Sequence, residues 1–191
     1  MTSEARAEQR WQTFVNLAIL LLLGTTCTAL VMEGLLPVAL ELPGAGRLAL
    51  EVTGLLLAFD AYFYGLHRLL HMRFAFRWVH AVHHRAREVD AWSTIAMHPV
   101  EFTLLIGFMP AAMLLVPLHL ASVALTAVLL SASITLAHAG RETWPRWWDQ
   151  NRLLGLYLTP RVHAEHHARL HCNYGATITI LDRLFGTLRV R

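Results

Sequence analysis

Residues Phe102–Ala137 read FTLLIGFMPAAMLLVPLHLASVALTAVLLSASITLA, a stretch of 36 residues without Asp, Glu, Lys or Arg. One straight helix of that length would extend about 54 Å, whereas the hydrocarbon core of a bilayer is about 30 Å thick. Pro110 and Pro117 interrupt the stretch, and Pro117 can begin a turn. The sequence therefore predicts two short spans, about Phe102–Val116 and Leu120–Ala137, or a re-entrant hairpin that does not fully cross. In both cases the chain returns to the side of the membrane that it left.

Two further stretches are long and apolar enough to cross a bilayer. Thr13–Met32 has no charged residue, and Leu48–Leu66 carries only Glu51 and Asp60. Thr13–Met32 is long for the apolar part of a cleavable signal, and no small-residue cleavage site follows it, so we expect it to remain as an anchor. The sequence thus predicts an all-α integral membrane protein of one domain, residues 1–191, whose segments outside the membrane are mostly helical.

The composition agrees with a membrane protein. Hydrophobic residues make up 55% of the chain and charged residues 15%, against about 25% charged in ordinary soluble domains. The mean hydropathy is +0.44. These values exclude a disordered, collagen-like or coiled-coil chain. Two cysteines, Cys27 and Cys172, are too few for a disulfide framework or a four-thiolate metal site.

Lysine is absent, and the distribution of the 16 arginines predicts the orientation. Two arginines precede the first span, five lie in His67–Glu101 and eight lie from Arg141 onward, whereas Arg47 alone falls on the other side. By the positive-inside rule, both termini and the histidine-rich regions are cytoplasmic. This bias also explains the net charge of +3, so we expect no nucleic-acid partner.

Histidine is the unusual residue, because nine of the 12 fall in four short stretches. Leu66–Met72 reads LHRLLHM, and the motifs HAVHH and HAEHH follow at residues 80–84 and 163–167. Offsets of three and four keep side chains on one helical stripe, so each triplet is predicted to aim its imidazoles at one point. The nine candidate ligands are His67, His71, His80, His83, His84, His138, His163, His166 and His167.

So many imidazoles in one place predict bound metal. Their nitrogens would be hard to satisfy without an ion, and a divalent ion accepts their lone pairs directly. Eight or nine nitrogen ligands exceed what one ion uses, so two ions are expected. Imidazole suits Fe, Zn, Cu and Ni. A lone HxxxH is usually an exposed or satisfied pair, but two HxxHH motifs and one HxxxH on one side of a membrane favour the metal site.

Asp60 is a candidate for a supporting role, because an acid inside a span is a functional candidate. It lies seven residues before His67 and hence on nearly the same helix face. We expect its carboxylate to accept a hydrogen bond from a ligating imidazole and so to fix the tautomer. The alternative is a structural hydrogen bond to Tyr62, Tyr64 or a neighbouring helix.

Five other residues receive weaker assignments. Glu51 is expected to be structural, and Glu165 points off the ligand stripe and is expected to be exposed. His98 precedes a proline, so it suits a helix cap as well as a metal ligand. His119 lies at the turn on the far side and has no assigned role. His171, outside the motifs, is expected to be structural or to support a ligand.

Taken together, these motifs resemble the fatty acid hydroxylase and sterol desaturase superfamily of membrane di-iron enzymes, over about residues 60–187. The resemblance rests on Asp60-x3-Tyr64-x2-His67-Arg68-x2-His71, Trp78-Val79-His80-x2-His83-His84, His98-Pro99-Val100-Glu101, His138-Ala139-Gly140, Thr159-Pro160 with His163-x2-His166-His167, Asn173-Tyr174-Gly175, and Leu181-Asp182-Arg183-Leu184-Phe185-Gly186-Thr187.

The resemblance implies a four-helix membrane anchor under a helical cytosolic cap that carries the metal site. It also implies O2-dependent oxidation of a lipid C–H bond, either hydroxylation or desaturation. It implies a catalytic region of about residues 55–187 and two iron ions held by the nine histidines, with zinc as a substitute acquired during purification. Asp60 and Asn173 are the further catalytic candidates. Some relatives have a second histidine four residues after the His138 position. Here that residue is Glu142, which leaves Glu142, water or His98 as the replacing ligand.

The resemblance also implies partners outside the chain. Since the sequence has no flavin, nicotinamide, CxxC or haem signature, electrons are expected from a ferredoxin or a cytochrome-type donor. The substrate is a membrane lipid: a sterol, sphingolipid, fatty acid, alkylglycerol or carotenoid, with the His-x-Gly element favouring a sterol-like ring. The alternative is a histidine-rich membrane protein that binds or transports metal without oxygenase activity. The oligomeric state stays open.

Overall fold

The structure, a computed structural model, describes residues 3–85, 91–140, 142 and 144–190. Three helices in this part of the chain are long and apolar enough to cross a membrane: Arg6–Met32, Ala45–Leu70 and Leu120–Ala137. They correspond to the first, second and fourth predicted spans. The predicted all-helical class is confirmed for the residues described, apart from two very short strands.

The elements follow one another along the chain with short connections. Before the turn region they are α1 (Ser3–Met32), β1 (Val38–Ala39), α2 (Ala45–Leu70), α3 (Arg73–Ala75), a π-helix (Phe76–His80), α4 (Ala81–His84) and a 3-10 helix (Ala91–Thr94). After it they are α5 (Pro99–Ile106), α6 (Phe108–Leu115), β2 (Leu118–His119), α7 (Leu120–Ala137), α8 (Arg146–Gln150), a 3-10 helix (Leu154–Leu156), α9 (Pro160–Arg169) and α10 (Ile180–Leu184).

The third predicted span is a broken helix, α5 followed by α6. Together they cover 17 mostly apolar residues, Pro99–Leu115, which extend only about 25 Å. The break lies at Gly107, whose backbone N–H bonds Thr103 O at 2.9 Å. Pro110 lies in the first turn of α6, where its missing N–H costs no hydrogen bond. This segment remains compatible with a thin span or a re-entrant hairpin.

The chain reverses between α6 and α7, as the sequence predicts. β1 and β2 pair in parallel, with Val38 opposite Leu118. A cluster of Leu55, Met113 and Val123 fills the space beside this pair. Because α2 and α7 both start at this pole, their other ends, which carry His67 and His138, lie together at the opposite pole.

Glu51 connects two helices at the pole opposite His67 and His138. Its side chain accepts hydrogen bonds from Arg47 Nε at 2.5 Å and from His119 Nδ1 at 2.9 Å. The backbone N–H of His119 also donates to it, at 3.1 Å. These contacts tie α2 to the start of α7. They agree with the structural role expected for Glu51, and they give His119 a role that the sequence did not suggest.

The histidine pole is closed by the segments after α7. Thr159 and Pro160 begin α9, as predicted: Thr159 Oγ1 accepts from Val162 N, and Pro160 occupies the first turn. Asp149 of α8 accepts from Thr159 Oγ1 at 2.8 Å and from Arg161. These bonds join α8 to the start of α9. The side of the membrane on which this pole lies stays a prediction from the arginines.

Candidate metal centre

Nine imidazoles meet at this pole in two adjacent groups. Within each group the candidate ligand atoms lie within 4.8 Å of one another. The five-histidine group is His67, His71, His80, His84 and His166, and the four-histidine group is His83, His138, His163 and His167. The structure therefore brings together all nine histidines that the sequence selected in its motifs.

The two groups divide each HxxHH motif, and the prediction that each triplet aims at one point is wrong. His80 and His84 belong to the five-histidine group, whereas His83 belongs to the other group. In the second motif the division is reversed, since His163 and His167 share the four-histidine group. The reason is helical geometry: residues four apart share a face, whereas adjacent residues point about 100° apart.

The second motif completes the exchange between the groups. His166, unlike the other two histidines of its motif, belongs to the five-histidine group. Its Nε2 lies 3.2 Å from the Nε2 atoms of His71 and His84. Each helix thus contributes an i, i+4 pair to one group and a single histidine to the other. This arrangement holds the two groups against each other.

The nitrogen separations in the five-histidine group suit ligands of a single ion. His80 Nε2 lies 3.1 Å from that of His67, 3.0 Å from that of His71 and 3.0 Å from that of His84. Nitrogens about 2.1 Å from one ion lie about 3.0 Å apart at right angles and about 3.4 Å apart at the tetrahedral angle. The observed values are nearer to right angles.

The four-histidine group has similar dimensions. His163 Nε2 lies 3.0 Å from His138 Nε2 and 3.1 Å from His167 Nε2. Both groups therefore present converging lone pairs at distances suited to one ion each. This donor chemistry fits the metal that the sequence predicts.

The opposite ring nitrogens are hydrogen-bonded in a way that orients the imidazoles. The Nδ1–H of His67 donates to the backbone carbonyl of Tyr174 at 3.0 Å, and the Nδ1–H of His166 donates to that of Cys172 at 2.6 Å. His138 Nδ1–H likewise donates to Ile134 O at 2.8 Å. Such bonds set the tautomer with the bare lone pair on Nε2, which is the form that binds metal.

Burial favours the neutral form of several of these imidazoles. Burial, with further repulsion from neighbouring imidazoles, lowers the pKa of His71 to about 2 and holds the pKa of His83 and His163 well below the ordinary value. Burial lowers the pKa of His166 to about 4. Because only the neutral ring has a free lone pair, these four imidazoles can bind a metal ion at pH 7.

A cavity of about 40 Å³ lies between the two groups and the helices of the anchor. His67 and His80 line it from one group and His83, His138 and His163 from the other. Its remaining lining is mostly apolar, and the helices α2, α5 and α7 contribute Phe63, Leu66, Leu70, Leu105, Ile134 and Ala137 to it. The metal-binding pole therefore faces a small apolar chamber inside the helix bundle.

Comparison with known sequences identifies the family. A sequence model described as fatty acid hydroxylase matches residues 52–187. The chain belongs to the fatty acid hydroxylase family. The matched region contains all nine histidines, and the resemblance inferred from the motifs is confirmed.

Several relatives of this fatty acid hydroxylase family chain are lipid enzymes by name. Methylsterol monooxygenase 2-2 of Arabidopsis thaliana is 30% identical over 91% of this chain and 64% of its own length. A very-long-chain aldehyde decarbonylase of Oryza sativa is 33% identical over 67% of this chain and 48% of its own length. The chain thus spans between about half and two thirds of these relatives. No solved structure matches.

Asp60 does not support a ligating imidazole, contrary to expectation. It accepts hydrogen bonds from Thr177 N at 2.9 Å, Thr177 Oγ1 and Ile178 N at 3.3 Å. The side chain faces the segment after α9, and Tyr174 of the same segment accepts from His67, one heptad further along α2. Asp60 is a buried anchor for this segment, so its hydrogen bonds are structural, as in the alternative, but they come from a connecting segment and not from Tyr62, Tyr64 or a neighbouring helix.

Asn173 also lies outside both groups. Its Nδ2 donates to Val162 O at 2.8 Å and Arg189 O at 2.9 Å, and its Oδ1 accepts from Arg189 N at 2.7 Å. Its φ of 56° places it in the left-handed region, where asparagine is tolerated. The observed contacts join the C-terminal segment to α9 and hold the turn that precedes Tyr174.

Asp182 is an anchor that sequence reasoning did not single out. Fully buried, it accepts from Tyr174 N at 2.8 Å, Gly175 N at 2.8 Å and Thr187 Oγ1 at 2.7 Å. It thereby holds the turn whose Tyr174 carbonyl accepts from His67. The motif Leu181–Thr187 marked the residue, but nothing in the local sequence shows what it touches.

The structure does not place His98 or Glu142 as metal ligands, and it does not leave Glu165 exposed. His98 lies in neither group, since its Nδ1 accepts from Val100 N at 3.2 Å and caps α5. Glu142 accepts from Trp144 N at 2.7 Å and from Arg161 N at 2.8 Å, so it caps α9. Glu165 is buried and pairs with Arg169, four residues on. His171 is exposed, and neither metal-binding group includes it.

Proposed function

We propose that this chain is an O2-dependent hydroxylase or desaturase that oxidises a C–H bond of a sterol-like or fatty-acid-like membrane lipid. The observation that carries the proposal is the pair of histidine groups, which divide the same two motifs and open together onto one apolar cavity. Two ions held in this way lie beside each other and beside the place where a lipid carbon fits. Family membership and the names of the relatives support this reading.

Iron is the metal that suits these ligands best. Five nitrogens exceed the four ligands that zinc takes in structural sites, and imidazole is also a suitable ligand for iron. His67, His71, His80, His84 and His166 would hold one iron, and His83, His138, His163 and His167 the other. Bound iron supplies the redox chemistry with O2 that an unactivated C–H bond requires.

The protein's own contribution is to position the lipid and to exclude water. Phe63, Leu105 and Ile134 give the cavity apolar walls from three helices. At about 40 Å³ it admits only the reacting end of a lipid, so the rest of the substrate must lie between the helices of the anchor. Selection between hydroxylation and desaturation then depends on how these walls place the reacting carbon.

Two electrons must come from outside, and we propose a ferredoxin or cytochrome-type protein as their source. Arg73 and Arg77, which follow α2 and precede His80 in the chain, are exposed and offer a basic surface. An acidic donor would be attracted to this surface. Its position also requires the metal-binding pole to face the cytoplasm, which is the orientation that the arginines predict.

A metal-binding or transport protein is the competing function. Transport needs polar groups along a path through the membrane. The two acids of α2 are engaged in other contacts: Glu51 with Arg47 and His119, and Asp60 with Thr177. Neither acid extends a path from the histidine groups.

The decisive experiment compares lipids from cells with and without the gene, by mass spectrometry. A lipid that gains one oxygen atom indicates hydroxylation, and one that loses two hydrogen atoms indicates desaturation. The purified protein should contain two irons per chain. If two irons are bound and no lipid changes while reductant, a donor protein and O2 are supplied, metal binding without oxygenase activity is the correct function.

A further inference from the structure

Glu101 is a buried carboxylate that contacts the five-histidine group directly. It lies in the first turn of α5, with its side chain 9% exposed, and its Oε1 lies 2.8 Å from His80 Nδ1. Its other oxygen, Oε2, has no hydrogen-bond partner among the residues that the structure describes. Within that part of the chain, this carboxylate therefore accepts its side-chain hydrogen bond from His80.

His80 differs in this way from the other histidines of its group with known Nδ1 partners. His67 and His166 donate to neutral backbone carbonyls, whereas His80 donates to a carboxylate. A charged acceptor forms a stronger hydrogen bond than a neutral one. It pulls on the Nδ1 proton and makes Nε2 a better donor to a metal.

His80 is also the central ligand of the group. Its Nε2 lies within 3.1 Å of the corresponding atoms of His67, His71 and His84. A change in the orientation or donor strength of His80 therefore affects the whole five-histidine site.

The negative charge of Glu101 also indicates that a cation binds close to His80. A buried carboxylate is costly unless positive charge lies nearby. Among the described residues, the one ion-pair contact of Glu101 is with the imidazole of His80. A cation on the far side of that ring would supply the compensating charge.

We propose that Glu101 is a positioning residue for the five-histidine site. It holds His80 with Nε2 directed at the ion and strengthens that ligand, so that this site binds metal more tightly. The proposal rests on the metal centre of the proposed function but not on oxidation of a lipid, and metal binding tests it without turnover.

The chain offers a matched control at its other pole. Glu51 is also a buried carboxylate, and it accepts from His119 Nδ1 at 2.9 Å. Glu51→Gln therefore removes the charge from the same kind of carboxylate–imidazole contact, far from both histidine groups.

The experiment titrates the full chain, in lipid nanodiscs and stripped of metal by a chelator, with CoCl2 while the visible absorption of Co²⁺ is recorded. We expect two binding steps in the wild type. Glu101→Gln should weaken one step by about 10- to 100-fold and leave the other unchanged. Glu51→Gln should change neither. His80→Ala identifies the affected step, and Glu101→Gln should have no further effect on the step in that background.

Glu101→Asp keeps the charge and protects the test against misfolding of the glutamine variant. Affinity in the order Glu, Asp, Gln supports the proposal. It is overturned if Glu101→Gln titrates like the wild type, if both steps weaken equally, or if Asp binds no better than Gln. A wild-type chain that binds two Co²⁺ but, loaded with iron, oxidises no lipid would refute the proposed function and leave this inference standing.

Discussion

His83 and His84 are consecutive residues, yet they belong to different metal-binding groups. Their ring centroids are 5.6 Å apart and their planes are inclined by 78°. Nε2 of His84 contacts that of His166, whereas the ring of His83 packs against His167, with 4.8 Å between centroids. This dipeptide, like His166-His167, therefore joins the two groups and holds them next to each other.

Replacing either residue should remove one ion rather than both. We expect His83→Ala and His84→Ala each to lower the iron content from about two to about one per chain, because the remaining group keeps its ligands. Both variants should lose activity, since the chemistry needs the pair. Elemental analysis of the purified variants checks this, and a variant that keeps both irons refutes the assignment of that histidine as a ligand.

Asp60 should matter for stability and not for ligation. Thr177→Val removes one hydroxyl that donates to Asp60, and we expect a loss of about 1–3 kcal/mol in the free energy of unfolding. Asp60→Ala should cost more, because it leaves two backbone N–H groups without their acceptor. Thermal unfolding in nanodiscs measures both. Full stability with loss of metal in Asp60→Ala would contradict the anchoring role and restore the metal-site role.

The turn after Asn173 should be sensitive to a single methyl group. A Cβ at Gly175 would lie 2.4 Å from Ile178 O and 3.0 Å from Asp182 Oδ2. Gly175→Ala should therefore displace the turn, lower the unfolding temperature and weaken metal binding through His67. Gly54→Ala is the control, since no atom lies within 4 Å of its added Cβ. Equal unfolding temperatures for the two variants would show that the turn tolerates the displacement.

Acid should destabilise the metal-free protein. The pKa of His166 is about 4 in the folded chain and 6.5 ordinarily, so unfolding takes up a proton between these values. A group with a lowered folded pKa contributes stability that is lost as pH falls from about 6.5 towards 4. His71 extends the effect to lower pH. We expect a lower unfolding temperature at pH 5.5 than at pH 7.5, and an unchanged temperature would contradict these shifts.

The iron-loaded protein should release its metal as the pH falls. Protons compete with the ion for the Nε2 lone pairs, so binding weakens as pH falls. Dialysis against a chelator at several pH values, followed by metal analysis, measures this release. Glu51→Gln, which alters neither histidine group, should release metal at the same pH as the wild type.

Local sequence patterns determined the helical class, the long apolar helices, the reversal at Pro117 and the nine histidines of the centre. These features follow from periodicity, proline position and motif spacing, which act over a few residues. Packing of α2, α4, α7 and α9 decided how the histidines divide between two groups. It also decided that Asp60 and Asn173 anchor segments, that His98 and Glu142 cap helices, and that Glu101 faces His80. Such contacts join residues far apart in the chain, so they depend on how helices pack and not on the spacing within any one of them.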